Sequence, residues 1–161
     1  MILKIRCQSR EISEKAILVA QKNADFHGVS DRLEIIQGDF FSFFPSPLGG
    51  EGPRSGGEGC FDFIISNPPY VSESEMTVLP PTILKYEPHA ALRAGSQGLD
   101  FYPAIAQFSK NHLKENGFVA VEIGDTQAEA IKNIFSKTGF SNIQIKRDYA
   151  GKDRVLWANY F

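Results

Sequence analysis

The residues with the clearest chemical potential are Asn67-Pro68-Pro69-Tyr70, which follow directly on the apolar run Phe61-Asp62-Phe63-Ile64-Ile65-Ser66. Two successive prolines cannot extend a strand ladder, so the pattern predicts a strand that stops where the tetrapeptide begins. Open α/β sheets meet their ligands at the carboxyl ends of strands, which is where these four residues would lie. Pro68 supplies a backbone carbonyl with no competing N–H, and the Asn67 side chain supplies a second acceptor. Tyr70 gives an aromatic wall for a planar group. Together they suit a reaction in which a delocalised nitrogen, a poor nucleophile, is held in line with an electrophilic carbon. Such a site works by positioning in a dry pocket, without a strong base. The same residues would also serve a plain turn that ends a strand.

The elements that must position this site alternate between strand and helix, which predicts an α/β fold. Residues 2–7 read as a strand. Ser13 can cap a helix running to about His27, with Gly28 just past its end. Residues 33–36 form a second strand, leading into Gln37-Gly38-Asp39-Phe40, and residues 61–66 form a third. An irregular stretch is expected over 71–98. A helix follows from near Asp100 to Leu113, with Pro103 in its first turn. Residues 118–123 read as a buried strand, in which Glu122 needs a polar partner. Asp125 is expected to cap a helix ending at about Lys137, closed by Gly139. Residues 143–148 and 155–160 should pair as an antiparallel hairpin around Ala150-Gly151-Lys152-Asp153, with Arg154 facing Asp148.

One segment breaks the rhythm. Residues 45–59 are almost wholly Pro, Gly, Ser and Glu, and carry Gly-Gly-Glu-Gly twice, the composition of an inserted low-complexity loop. The stretch lacks the Lys-Ser/Thr ending of a phosphate-binding loop and opens no helix.

The chain has 161 residues, 42% of them hydrophobic, with a formal net charge of −2 and a sequence pI near 5.9. That is enough for one domain with a real core. The charge balance argues against gripping nucleic acid through bulk positive charge. No apolar run approaches the roughly 20 residues that cross a bilayer. Cys7 and Cys60 have no CxxC spacing, and His27, His89 and His112 form no ligand cluster, so neither a disulfide framework nor a metal site is expected. A cytoplasmic protein with free thiols is the expectation.

With these residues in hand, the chain resembles the release factor glutamine methyltransferases. The resemblance rests on Ile12-Ser13-Glu14-Lys15-Ala16, Gln37-Gly38-Asp39-Phe40 and Ser66-Asn67-Pro68-Pro69-Tyr70. It continues through Tyr86-Glu87-Pro88-His89-Ala90-Ala91-Leu92, Gly98-Leu99-Asp100-Phe101-Tyr102, Glu122-Ile123-Gly124 and Asp148-Tyr149-Ala150-Gly151-Lys152-Asp153-Arg154-Val155. It implies a Rossmann-like class I fold with a mostly parallel sheet, ending in an antiparallel hairpin. It also implies S-adenosylmethionine as methyl donor, and the Gly-Gly-Gln glutamine of peptide chain release factors as acceptor. By position, Asn67, Pro68, Pro69 and Tyr70 would hold the glutamine, with Asn67 also near the cofactor, and Glu87 would serve a substrate loop. Glu11 would hydrogen-bond the cofactor ribose, although the family usually has Asp there. Phe40 would pack against adenine, with Asp39 at its edge.

The resemblance also implies a preceding helical domain, a first strand and a Gly-x-Gly-x-Gly loop beneath the methionine part of the cofactor. This sequence contains no such loop. The expectation is therefore a partial catalytic domain over 1–161, N-terminally truncated, with open strand edges, weak cofactor binding and doubtful activity, and a monomer if complete. Two other readings stand beside it. One is a methyltransferase acting on nucleic-acid adenine N6 or on a ribosomal-protein glutamine; the other is a non-catalytic remnant.

Overall fold

Ser13 opens helix α1 (Glu14–Phe26) with an extended backbone, and its hydroxyl accepts the Ala16 N–H at 3.3 Å. That bond satisfies one of the amides that a helix start leaves orphaned. Past the other end, Gly28 takes a left-handed φ of 62° that favours glycine. In the computed structural model, which describes residues 7–11, 13–38 and 61–160, the helix joins two parallel strands. These are β1 (Cys7–Glu11) and β2 (Leu33–Gln37), with Cys7 opposite Leu33 and Glu11 opposite Gln37. The strand expected over 2–7 thus runs from Cys7 to Glu11, while residues 1–6 lie outside the described residues. Parallel pairing with β2 satisfies the backbone of this polar stretch, which hydropathy alone would leave out of a ladder. Asp39, Phe40 and the 45–59 stretch also lie outside the described residues.

The chain divides into two units, Met1–Pro53 and Arg54–Phe161. The second holds a four-stranded sheet in the order β3-β4-β6-β5. Its strands are β3 (Phe61–Ser66), β4 (Leu113–Glu122), β5 (Ser141–Arg147) and β6 (Asp153–Asn159). β3 and β4 are parallel, with Ser66 opposite Val121, while β6 is antiparallel to both β4 and β5. The mixed sheet with its closing hairpin is the one the sequence implies.

Between β3 and β4 lie α2 (Glu73–Met76), α3 (Pro81–Tyr86), a 3-10 turn and α4 (Phe101–His112). The stretch expected to be irregular thus contains two short helices. Each has a local cause: Ser72 and Glu75 form a reciprocal capping box on α2, and Pro81 sits at the first position of α3. β4 starts five residues before the expected position. The pairing shifts register between Phe61 and Phe63, so the segment around Asn116 (φ 63°) is an irregular entry to the strand.

Helix α5 (Ala128–Thr138) follows β4, and Gly139 closes it at φ 107°. The expectation that Asp125 caps this helix fails. Gln127 is the N-cap residue, and the Asp125 carboxylate instead pairs with Lys152 at 2.7 Å. A tertiary ion pair has outcompeted a local cap.

The core of this unit lies between one face of the sheet and α4 and α5. Val119, Val121 and Ile123 are fully buried there with Leu156 and Ala158, against Tyr102, Ala106, Ile131 and Phe135. Burying each larger aliphatic or aromatic side chain stabilises the fold by about 1.5–3 kcal/mol. Across three strands Phe63 stacks on Phe118 at a centroid spacing of 5.5 Å, and Trp157 lies tilted against Phe118 at 5.8 Å. β3 has one partner strand among the described residues, and Ile65 on it is 70% exposed.

Candidate acceptor and cofactor residues

Asn67 leaves the sheet at the end of β3, as its spacing from the prolines requires. Its side chain is exposed and has no hydrogen-bond partner among the described residues, whereas Pro68 beside it is buried. The run is anchored at its far end. Tyr70 is half-buried, and its hydroxyl donates to Glu122 Oε1 at 3.2 Å. The partner that Glu122 needs is thus the tyrosine of the tetrapeptide. Burial, reinforced by the neighbouring carboxylate, holds the Tyr70 hydroxyl above its ordinary range, while Arg154 pulls the other way. The group stays a neutral donor.

The backbone beyond Tyr70 is held equally well. The Val71 N–H donates to the Leu92 carbonyl, and the Ala94 N–H donates to the Val71 carbonyl, both at 2.9 Å. Arg154 pairs with Asp148 across the hairpin at 3.1 Å, as expected. A cavity of about 280 Å3 opens beside Tyr70, walled by Val71, Val78 and Leu79 and rimmed by Asp125 and Arg154. Asn67, Pro68, Pro69 and Tyr70 are consecutive, and Tyr70 is the member of the run that lines this cavity. Glu87 is exposed at the C-cap of α3, and no hydrogen bond links its carboxylate to the tetrapeptide among the described residues.

Sequence reasoning missed Gln127. Its side chain is buried, and its Nε2 donates to the Tyr70 carbonyl at 2.9 Å and the Gly98 carbonyl at 3.2 Å. Its Oε1 accepts the Gly124 N–H at 3.0 Å. The legible signal is the spacing Gly124-x-x-Gln127, at which a glutamine side chain can reach back to a backbone amide three residues earlier, here ahead of the helix it caps.

In the first unit, Glu11 is the last residue of β1, and its Oε1 accepts the Ser13 N–H at 2.9 Å. It lines a groove of about 510 Å3 together with Lys15, Asn23 and Ile35. An acid at the carboxyl end of a parallel strand can accept a pair of vicinal hydroxyls, so Glu11 fits the ribose end of a nucleoside cofactor. The methionine end has no matching glycine loop in this sequence. Among the described residues, no helix is long and apolar enough to cross a membrane.

Comparison with known proteins extends this geometry. The family model described as Eco57I restriction-modification methylase matches residues 4–147. A release factor glutamine methyltransferase of Geobacter sulfurreducens is 40% identical over 146 residues, covering 91% of this chain and 46% of that protein. Another from Aquifex aeolicus is 37% identical over 155 residues, covering 96% and 50% respectively. The chain thus spans about half the length of the curated relatives it matches. A methyltransferase structure from Pyrococcus furiosus superimposes with a TM-score of 0.61 at 19% identity, over 96% of this chain and 62% of that one. At that identity the likeness shows the class I methyltransferase fold alone. With a family model matched over residues 4–147 and relatives at 37–40% identity, the chain belongs to the Eco57I restriction-modification methylase family and is a relative of the release factor glutamine methyltransferases.

Proposed function

We propose that this chain carries the acceptor side of a methyltransferase acting on the side-chain amide nitrogen of a protein glutamine, that of the Gly-Gly-Gln motif in peptide chain release factors. The observation that carries the reading is the exposed Asn67 amide at the end of β3, without a hydrogen-bond partner among the described residues, followed by a buried Pro68 and a braced Tyr70. The Asn67 side-chain oxygen and the Pro68 carbonyl accept the two N–H bonds of the glutamine amide, and the Tyr70 ring covers its plane. Holding both N–H groups turns the nitrogen toward the donor and favours the lone-pair geometry it needs. S-adenosylmethionine, when bound, supplies an electrophilic methyl group on a sulfonium. By the family resemblance Glu11 would hold its ribose, and Asp39 and Phe40, which lie outside the described residues, would meet its adenine. The methyl carbon would pass to the glutamine nitrogen as its bond to sulfur breaks and the donor leaves as a neutral thioether. The nitrogen would then lose its proton to solvent, with no strong base needed from the site. Glu87 contacts the substrate segment. The partner is then a protein of translation termination, met in the cytoplasm.

A transfer assay with tritiated S-adenosylmethionine tests this, comparing a purified release factor, ribosomal protein and DNA as acceptors. Label on the release factor, lost when its Gly-Gly-Gln glutamine is replaced by alanine, is the expected result. The family model's description as a restriction-modification methylase favours a second reading, transfer to DNA, for which adenine N6 is the acceptor the Asn-Pro-Pro-Tyr run would suit. Label on DNA alone would establish that reading instead. The net charge of −2 weighs against it, because duplex binding draws its affinity from phosphate neutralisation.

A further inference from the structure

The Gln127 carboxamide bonds the Tyr70 carbonyl, the turn at Gly98 and the Gly124 amide just past β4 at once. Its oxygen accepts the Gly124 N–H at 3.0 Å. Its nitrogen faces three carbonyls, of Tyr70 at 2.9 Å, Gly98 at 3.2 Å and Gln97 at 3.4 Å. An amide nitrogen has two hydrogens, so these carbonyls compete, and the shortest contact goes to Tyr70. Gln127 is 9% exposed, which places this exchange out of water. Hydrogen bonds of this kind are strong and directional because nothing else can satisfy the groups.

Gly98 leaves room for the arrangement. It adopts φ +71°, and a Cβ built there would lie 2.3 Å from the Tyr70 carbonyl oxygen and 2.5 Å from Gln127 Nε2. The glycine is needed both for its backbone angle and for that close approach. Tyr102 completes the frame, its hydroxyl donating to the Glu122 carbonyl at 3.1 Å. The end of the acceptor run is therefore fixed twice: Glu122 holds the Tyr70 side chain, and Gln127 holds its carbonyl.

We infer that Gln127 is a positioning residue for the acceptor loop: it fixes the Tyr70 peptide against Gly98 and so sets the direction of the Asn67 and Pro68 acceptors. This rests on the proposed acceptor role of Asn67 to Tyr70. Gln127 touches neither acceptor nor donor and acts through the backbone of Tyr70. The two ends of its carboxamide have separable duties. The oxygen orders the entry to α5, while the nitrogen orders the acceptor loop.

Gln127→Glu separates them, because a carboxylate still accepts the Gly124 N–H but cannot donate to Tyr70. Gly98→Ala disturbs the same carbonyl from the opposite side. Kinetics with the peptide acetyl-Gly-Gly-Gln-amide and with an intact release factor give the readout. Both variants should lose kcat/KM for the acceptor by about 100-fold, the scale of an ångström-level misplacement. The KM for the acceptor should rise while the KM for S-adenosylmethionine stays within about twofold, since loss of folded enzyme lowers kcat and leaves both KM values unchanged. A loss that follows the folded fraction by circular dichroism, and disappears on cooling, would overturn the inference. If the wild type labels DNA and not glutamine, the glutamine reading fails. The inference is then judged on the DNA acceptor, where an equal loss supports it and no loss overturns it. If no acceptor is labelled, amide hydrogen exchange at Val71 decides. Faster exchange in Gln127→Glu supports the clamp, and unchanged exchange removes it.

Discussion

The Tyr70 hydroxyl and the Glu122 carboxylate meet at 3.2 Å, joining the end of the acceptor run to the end of β4. Tyr70→Phe removes the donor and leaves Glu122 half-buried without it, at a cost of about 1–2 kcal/mol in urea unfolding. The ring survives, so methyl transfer should fall less than about tenfold, the scale of about 1.4 kcal/mol in a barrier. Tyr70→Ala, which also loses the aromatic wall, should fall further. Equal transfer rates in the two variants would remove the ring from the site.

Asn67 makes the opposite prediction. It is exposed and has no hydrogen-bond partner among the described residues, so Asn67→Ala should change unfolding free energy by no more than about 0.5 kcal/mol. Transfer to glutamine should drop by about 100-fold or more, the scale of losing a positioned polar contact in a transition state. Unchanged turnover would take Asn67 out of the chemistry.

The hairpin carries a readable acid dependence. The Lys152 N–H, followed by Arg154 and the Ala150 N–H, holds the Asp148 carboxyl below its ordinary 3.8. A depressed folded value means that stability is fully present above 3.8 and is lost as pH falls through the lower value. Asp148→Asn should therefore be less stable than wild type near neutrality, with the gap closing as pH falls below the ordinary 3.8 and the wild-type carboxyl protonates. Urea midpoints between pH 2 and 7 check it, and a gap constant across that range would contradict the assignment.

At the alkaline end the sign reverses. Burial raises both Tyr70 and Tyr102 above 10.0, so the stability they add is complete below that pH and is lost as pH rises through the raised values. Phenolate absorbance in the folded protein should lag behind that of the unfolded chain. Coincident titrations would argue against buried hydroxyls.

Cofactor affinity tests what these 161 residues, which contain no Gly-x-Gly-x-Gly loop, hold by themselves. Titration calorimetry of the 161-residue chain with S-adenosylmethionine should give a Kd weaker than about 1 µM, the value that corresponds to about −8 kcal/mol. Binding at or below that concentration would mean that other residues replace the loop.

Much of the fold was legible because local chemistry and tertiary packing agree at the relevant residues. Ser13, Gly139 and the Ala150–Asp153 turn carry their signals in residue type, and β3 ends where Pro68 requires. The Tyr70 tetrapeptide and the Arg154–Asp148 pair were readable for the same reason. The misses have physical causes. Asp125 is a good cap by type but found a cation, Lys152, that lies 27 residues away in sequence. α2 and α3 are too short to show helical periodicity, and only their caps announce them. β1 is polar, so hydropathy placed the strand too early. Gln127 was missed because only its bond to Gly124 is local, while its other partners, Tyr70 and Gly98, come together only when β3 and β4 pair.

That last separation governs the order in which the site can form. The bonds that fix the acceptor run span 52 residues from Tyr70 to Glu122 and 57 from Tyr70 to Gln127. Closing such loops costs chain entropy before any contact returns it, so these bonds belong to the slow, non-local part of folding. During synthesis the Asn67–Tyr70 run emerges long before its braces do. It stays a loose peptide until residue 127 has cleared the ribosome and β4 has docked, which ties acceptor competence to completion of the C-terminal sheet.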